Sequence, residues 1–248
     1  METAAILIIG NEILSGRTQD KNISFIGMRC SEIGIRLKEV RIIEDNELEI
    51  IENVKKLSEK FDHVFTTGGI GPTHDDITAA AIAKACKQKL ELNKTAHKLL
   101  KEHYSKTEYS LNESRLKMAY VPTNSKLIKN SVSAAPGFKI DNIWVMAGVP
   151  KIMQAMFLED VEPHIKKNNP IISLSIKVEK PEGEIAQILK TLQNKFTEID
   201  IGSYPYFQPP FLSTTVILRS SNKKHLENAI KVLSQNLSDA NIQYLLEE

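Results

Sequence analysis

The apolar run Ala4 to Ile9 is unbroken and stops at Gly10, the pattern of a parallel strand covered on both faces. Then the period changes. Ile23, Ile26, Cys30 and Ile33 recur at spacings of three and four before Gly34, which predicts an amphipathic helix with a glycine stop. Ile35 to Ile43 reads as a second strand, Glu47 to Phe61 as a second helix and His63 to Thr67 as a third strand. This β-α-β-α-β order predicts a parallel, doubly wound sheet. Farther on, Ile77 to Cys86, Thr95 to Ser105 and Leu111 to Ala119 read as helices, Lys126 to Ile128 and Ile143 to Met146 as strands, and SVSAAPGF at 131–138 as a loop. Pro150 to about Lys166 closes this part as a helix, with proline well placed at its first turn. The polar stretch KKNNP then marks a boundary near Asn168. Beyond it, strand 171–178, helix 182–196, strands 199–204 and 212–218 and helix 223–237 give the β-α-β-β-α order of a small ferredoxin-like unit. Two domains are expected, 1–168 and a smaller α+β domain at 169–248.

Composition narrows the function. The 248 residues carry 32 basic and 31 acidic side chains, a net charge of +1, so no overall field draws the chain to nucleic acid or to an anionic membrane. Any anion must be held by a local site. No apolar stretch approaches the roughly 20 residues of a membrane span, and the N-terminus has no basic segment. Cys30 and Cys86 form neither a disulfide framework nor a zinc spacing and read as packed thiols in a reducing compartment. The expectation is a cytoplasmic protein whose partner is a small molecule, with no nucleic acid and no membrane.

In an open parallel sheet, ligands gather outside the carboxyl ends of the strands. Strand one delivers Gly10, Asn11 and Glu12 there, strand three delivers Thr67, Gly68 and Gly69, and the Trp144 strand delivers Gly148 and Pro150. The richest stretch is TTGGIGPTHDDIT at 66–78. Gly68, Gly69 and Gly71 permit positive φ and close approach of a ligand, free amides there form a cradle for phosphate, and Pro72 stiffens the turn. Thr73-x-x-Asp76 has the spacing of a capping box, so one carboxylate has a purely structural reading. Asp75 and Asp76 together would repel a bare phosphate, and the pair makes sense with a hard divalent cation between acid and phosphate, a cation that Glu12 could also reach. The stretch is neither a P-loop nor a Rossmann fingerprint. His74 reads as solvated, and Met146, Met153 and Met156 as core.

At this point the motifs IIGNEILSGRTQDKN (8–22), TTGGIGPTHDDIT (66–78), NESRLKMAYVP (112–122), AAPGF (134–138) and AGVPKIMQAMF (147–157) carry a resemblance. The chain resembles the molybdopterin-binding-like (MoaB/Mog-type) domain that begins CinA, the competence/damage-inducible protein A, and that forms the N-terminal part of animal FAD synthases. DIGSYPYF at 200–207 is similar to the segment that follows in FAD synthase. The resemblance implies a three-layer α/β/α domain with a mostly parallel sheet. It also implies metal-dependent hydrolysis of ADP-ribose, FAD or a related adenylated pyrophosphate to release AMP, with Mg²⁺, Mn²⁺ or Co²⁺ and potassium as candidate ions.

Under this resemblance Asp75 and Asp76 would be catalytic, and Glu12, Asp75 and Asp76 would hold the metal. Gly10, Asn11, Thr67, Gly68, Gly69, Gly71, Pro72 and Thr73 would surround the phosphates. Lys117 and Asn130 would meet phosphate or sugar, and Pro136, Gly137, Gly148 and Pro150 would form the opposite wall. Asn11 stands where the family often has Asp or Thr, and Ala147 where it has proline. The alternatives are a molybdopterin-binding or adenylylating protein and a non-catalytic nucleotide or pterin binder. A homo-oligomer, with a dimer as the first candidate, follows from the same analogy. Neither the deamidase domain of many CinA proteins nor the adenylyltransferase domain of FAD synthase is present in these residues, so neither activity is expected. Tyr204, Tyr206 and Phe207 could lie over a ligand ring or pack the small core, and packing is the favoured reading.

Overall fold

The structure is a computed structural model that describes residues 1–208 and 211–247, with only the backbone of residues 207, 211 and 247. It divides into two compact units, Met1–Asn168 and Asn169–Glu248.

In the first unit the strands are β1 (Thr3–Ile9), β2 (Arg36–Ile43), β3 (His63–Thr67), β4 (Leu90–Leu92), β5 (Tyr120–Pro122), β6 (Lys126–Ile128), β7 (Gly137–Ile140) and β8 (Ile143–Met146). The helices are α1 (Asn11–Leu14), α2 (Asn22–Glu32), α3 (Glu47–Lys60), α4 (Thr78–Ala85), α5 (Lys94–Tyr104), α6 (Glu113–Leu116) and α7 (Pro150–Met156). Six strands form one sheet in the order β2-β1-β3-β8-β7-β6. The first four are parallel, and β7 runs antiparallel to both neighbours.

Alternation along β1 explains the layers. Ala4, Ile6 and Ile8 meet Ile26 and Cys30 of α2 and Met153 and Met156 of α7, while Ala5, Leu7 and Ile9 meet Ile50, Val54 and Leu57 of α3 and Ile82 of α4. Burying an isoleucine or leucine in full is worth about 2 kcal/mol, so both helical layers are held chiefly by this strand and its neighbours. The expected three-layer, mostly parallel α/β/α architecture is what the chain forms. Caps match the local sequence: the Asn46 side chain accepts from the amides of Leu48 and Glu49, and Asn93 from those of Thr95 and Ala96.

Several elements differ from the expectation. Residues 137–138, expected as loop, belong to β7, the near arm of a tight hairpin with β8, and Asn11–Leu14 adds a short helix. The helix after Pro150 ends at Met156 and continues as a π-helical turn, Phe157–Val161, and a 3₁₀ turn, Glu162–His164. Pro163 inside this stretch cannot donate the amide that a continuous α-helix needs.

The second unit comprises β9 (Ile172–Val178), α8 (Glu182–Lys195), β10 (Asp200–Gln208), β11 (Phe211–Ser220), α9 (Lys223–Asp239) and β12 (Tyr244–Glu247). Its antiparallel sheet has the order β10-β11-β9-β12, so the unexpected strand β12 completes the ferredoxin-like β-α-β-β-α-β arrangement. The helices cover one face only. Ile201 packs into the core under them, and the alternation of β10 leaves Tyr204 and Tyr206 on the open face, 48% and 53% exposed. This corrects the core-packing expectation for both tyrosines; the Phe207 side chain lies outside the described residues. Among the described residues no helix is long and apolar enough to cross a membrane.

Candidate functional site

A cavity of about 540 Å³ opens in the first unit beyond the carboxyl ends of β1, β3 and β8. Its floor is main chain: Gly10 after β1, Gly68 to Gly71 after β3 and Gly148 after β8. Gly68 has φ of +105°, and a Cβ there would lie 2.0 Å from the Ile9 carbonyl oxygen. Gly69 has φ of +66°, and its Cβ would lie 2.1 Å from the Thr78 hydroxyl. Both positions have the positive φ expected of them and are closed to a side chain by their neighbours in the fold, whereas Gly71 is not among the glycines of positive φ. Gly148 packs tightly against the same turn, since a Cβ on it would come within 3.2 Å of the Gly68 Cα.

One rim of the cavity is acidic. Asp76 Oδ2 accepts from the Thr73 amide at 2.8 Å and from the Thr73 hydroxyl. The half-capping box thus closes a turn two residues ahead of α4, and Asp76 is a tied, structural carboxylate. Asp75 is exposed beside His74, at 3.9 Å, whose own side chain is 99% exposed. The Thr73 hydroxyl and the Asp75 amide, with His74 and Lys117 adding positive charge, hold the Asp75 carboxyl below its usual range.

Across the rim lies Asp45, which sequence reasoning missed. It follows β2, and its Oδ2 accepts from the Asn11 amide at 3.0 Å. Burial pushes its carboxyl above the usual range, the Asn11 bond opposes this, and the charges of Glu12, Asp75 and Asp76 add to the rise. The signal was available: β2 also ends at the ligand side of the sheet, and Glu44-Asp45-Asn46 is its polar exit.

The remaining expected residues divide clearly. Glu12, Gly68, Gly69, Gly71, Pro72, Asn130, Gly148 and Pro150 line the cavity with Asp75 and Asp76. Asn11 serves through its backbone alone. Thr67 is buried at 1% exposure in β3, outside the lining, and Gly137 is packed in β7 where a Cβ would meet the Val145 carbonyl at 2.2 Å. Thr73 serves the turn; its carbonyl accepts from Lys117 Nζ at 2.7 Å. Asn130 spends both ends of its amide on its own loop: Oδ1 accepts from Val132 and Ser133, and Nδ2 donates to Ser133 Oγ and the Ala135 carbonyl. It shapes the wall. Lys117 and Pro136 line an adjoining apolar slot of about 90 Å³, which shares Gly69 to Gly71 with the main cavity. Tyr104, Met118 and Ile152 give the main cavity an apolar side that sequence reasoning also missed.

Among the described residues no group of three or more histidine, cysteine or acidic side chains is gathered to hold a metal. Glu12, Asp75 and Asp76, the expected set, all line the cavity, and Asp76 Oδ2 is held by Thr73. The chemistry of the rim still suits a hard cation: its donors are carboxylate oxygens, and their mutual repulsion is expressed in the raised Asp45. Mg²⁺ in phosphate sites commonly takes one or two protein carboxylates and completes its shell from phosphate and water.

Residues 5–167 match the family described as a probable molybdopterin binding domain, and residues 170–245 the FAD synthase middle domain. A protein of Pyrobaculum arsenaticum is 31% identical over 94% of this chain and 92% of its own length. One from Archaeoglobus fulgidus is 33% identical over 94% of this chain and 97% of its own. Among solved structures, the CinA protein of Thermoplasma acidophilum, described as of unknown function, is 33% identical, with a TM-score of 0.62, and is aligned over 66% of this chain and 98% of its own.

Proposed function

Since the chain belongs to the probable molybdopterin binding domain family, we propose that its first unit binds an adenylated pyrophosphate such as ADP-ribose or FAD and, with a divalent cation, hydrolyses it to release AMP. The observation that carries this reading is the facing of a main-chain floor and an acidic rim across one cavity of about 540 Å³, a volume within the usual range for small-ligand sites. Amides of the glycine turn beyond Gly68 would orient the phosphates, since those of Gly10 and Gly68 already donate to the Ile43 and Met146 carbonyls. Tyr104, Met118 and Ile152 give the base or flavin an apolar surface. Lys117, exposed at the adjoining slot, supplies a positive charge within reach of the glycine turn.

Asp75, with Glu12 beside it, would hold the cation, which would polarise a phosphoryl oxygen and make a nearby water more acidic. Asp75, held below its usual range, stays ionised throughout the neutral region. Asp45 is the rim carboxylate best placed to receive a proton, because its neighbours already favour its neutral form. The test is AMP release from ADP-ribose and FAD with Mg²⁺, Mn²⁺ and Co²⁺, with and without potassium. Asp45→Asn is expected to reduce the rate at least 100-fold, in the usual range for a lost acid or base. No AMP from the wild type with any ion would refute the hydrolase reading.

A second reading, binding or adenylylation of molybdopterin, draws on the match over residues 5–167. The same floor would hold the pterin phosphate. A fluorescent pterin that co-purifies with the protein, in the absence of AMP release, would favour it.

A further inference from the structure

The two edges of the large sheet are unlike. β6 at one end has three residues, whereas β2 at the other has eight. A long edge presents a row of unpaired amides and carbonyls, and proteins shorten, cover or pair such edges. Its backbone direction follows from one bond: the Ile43 carbonyl accepts from Gly10 N at 3.1 Å, so Ile43 faces β1. Alternation then turns Glu39 and Arg41 inward and turns the amides and carbonyls of Val40 and Ile42 out of the sheet, while Lys38 sits at a break in register with β1, between the Leu37 and Glu39 partners Ala4 and Ala5. The side chains of Val40 and Ile42 are 37% and 38% exposed, and α1, which packs beside β2, exposes Leu14.

On the other face of β2, Arg41 Nε donates to Glu39 Oε1 at 2.7 Å, and Glu39 Oε2 accepts from Lys60 of α3 at 2.7 Å. Glu39 and Arg41 stand one residue to either side of Val40. The strand is therefore complementary in charge to its own reverse.

We propose that β2 pairs antiparallel with β2 of a second copy of this chain, about a two-fold axis at Val40, joining two six-stranded sheets into one. In this register Val40 lies opposite Val40 and Glu39 opposite Arg41. The outward amide and carbonyl of Val40 make it a hydrogen-bonded pair. Moving the axis by one residue sets Glu39 opposite Glu39 or Arg41 opposite Arg41, and like charges directly opposite are unfavourable. The charge pattern thus selects the register, and the two-fold closes the assembly at a dimer.

The test uses the full chain with engineered cysteines. Opposed residues of a hydrogen-bonded pair have Cα atoms about 5.5 Å apart, within the span of a disulfide. Val40→Cys is expected to give a covalent dimer on mild oxidation, while wild type treated alike and Lys38→Cys do not. Light scattering is expected to report a dimer for wild type, a monomer for Arg41→Glu, and a dimer again for Glu39→Arg combined with Arg41→Glu; because the swap also restores the pair within each chain, circular dichroism is read beside it. A monomeric wild type overturns the proposal, and would leave the edge to a strand of another protein. So does a dimer in which Val40→Cys links no better than Lys38→Cys. If Arg41→Glu fails to fold by circular dichroism, the cysteine series decides alone.

Discussion

Burial and the charges of Glu12, Asp75 and Asp76 hold the Asp45 carboxyl above its usual range, which fixes the sign of its pH dependence. Below about pH 4, the unfolded value, both states carry the proton and Asp45 does not weaken the fold. As the pH rises through the folded value, the native state must ionise a carboxyl it disfavours, and stability is lost. Asp45→Asn, which keeps an oxygen for the Asn11 amide, is therefore expected to raise Tm at pH 7 while reducing activity, with the gain in Tm vanishing in acid. Thermal scans at several pH values check this. A second prediction concerns the turn: Thr73→Ala removes one hydroxyl bond to Asp76 and is expected to destabilise by about 1 kcal/mol, read as a lower midpoint in urea. Asp76 was legible in the sequence as a possible cap, because Thr-x-x-Asp is a local pattern. Asp45 was not, because its importance comes from residues 30 and more positions away that only the folded sheet brings together.

At the scale of elements, strands buried on both faces announced themselves, and short ones did not. β1 is readable because each of its positions must be apolar, whereas β4 is three residues with all side chains exposed. β7 was hidden by Pro136 and Gly137, which look like loop chemistry, although the glycine is there because the Val145 carbonyl occupies the place of a side chain. The helix after Pro150 began where proline predicts but broke early, since periodicity continues through π and 3₁₀ turns that a pattern of apolar residues does not distinguish. The glycine turn yields a paired prediction. Gly68→Ala meets a main-chain oxygen and requires positive φ, so a loss of about 4 kcal/mol is expected. A Cβ at Gly71 meets only the Asp76 carboxylate, at 2.7 Å, so Gly71→Ala should lose no more than about 1 kcal/mol. Chemical denaturation of both variants measures the contrast.

For the whole molecule, each unit closes its own core: one on the two faces of the six-stranded sheet, the other around Ile176, Val216, Leu226 and Leu233. All the residues that line the described cavity belong to the first unit. A chain ending at Asn168 is therefore expected to unfold cooperatively and to retain nucleotide binding with Kd within about threefold of the full chain, a difference of about 0.7 kcal/mol; calorimetry on the two proteins checks it.

The tight packing of Gly148 against Gly68 has a further consequence for how such proteins diversify. At Gly68 and Gly69 the floor cannot drift, since a Cβ there would lie 2.0 Å from the Ile9 carbonyl oxygen and 2.1 Å from the Thr78 hydroxyl. The walls around it, supplied by Tyr104, Met118, Val149 and the loop that Asn130 braces, are free to change one residue at a time. The scaffold acts as a fixed socket with interchangeable collars, and descendants with the same backbone can come to hold different ligands.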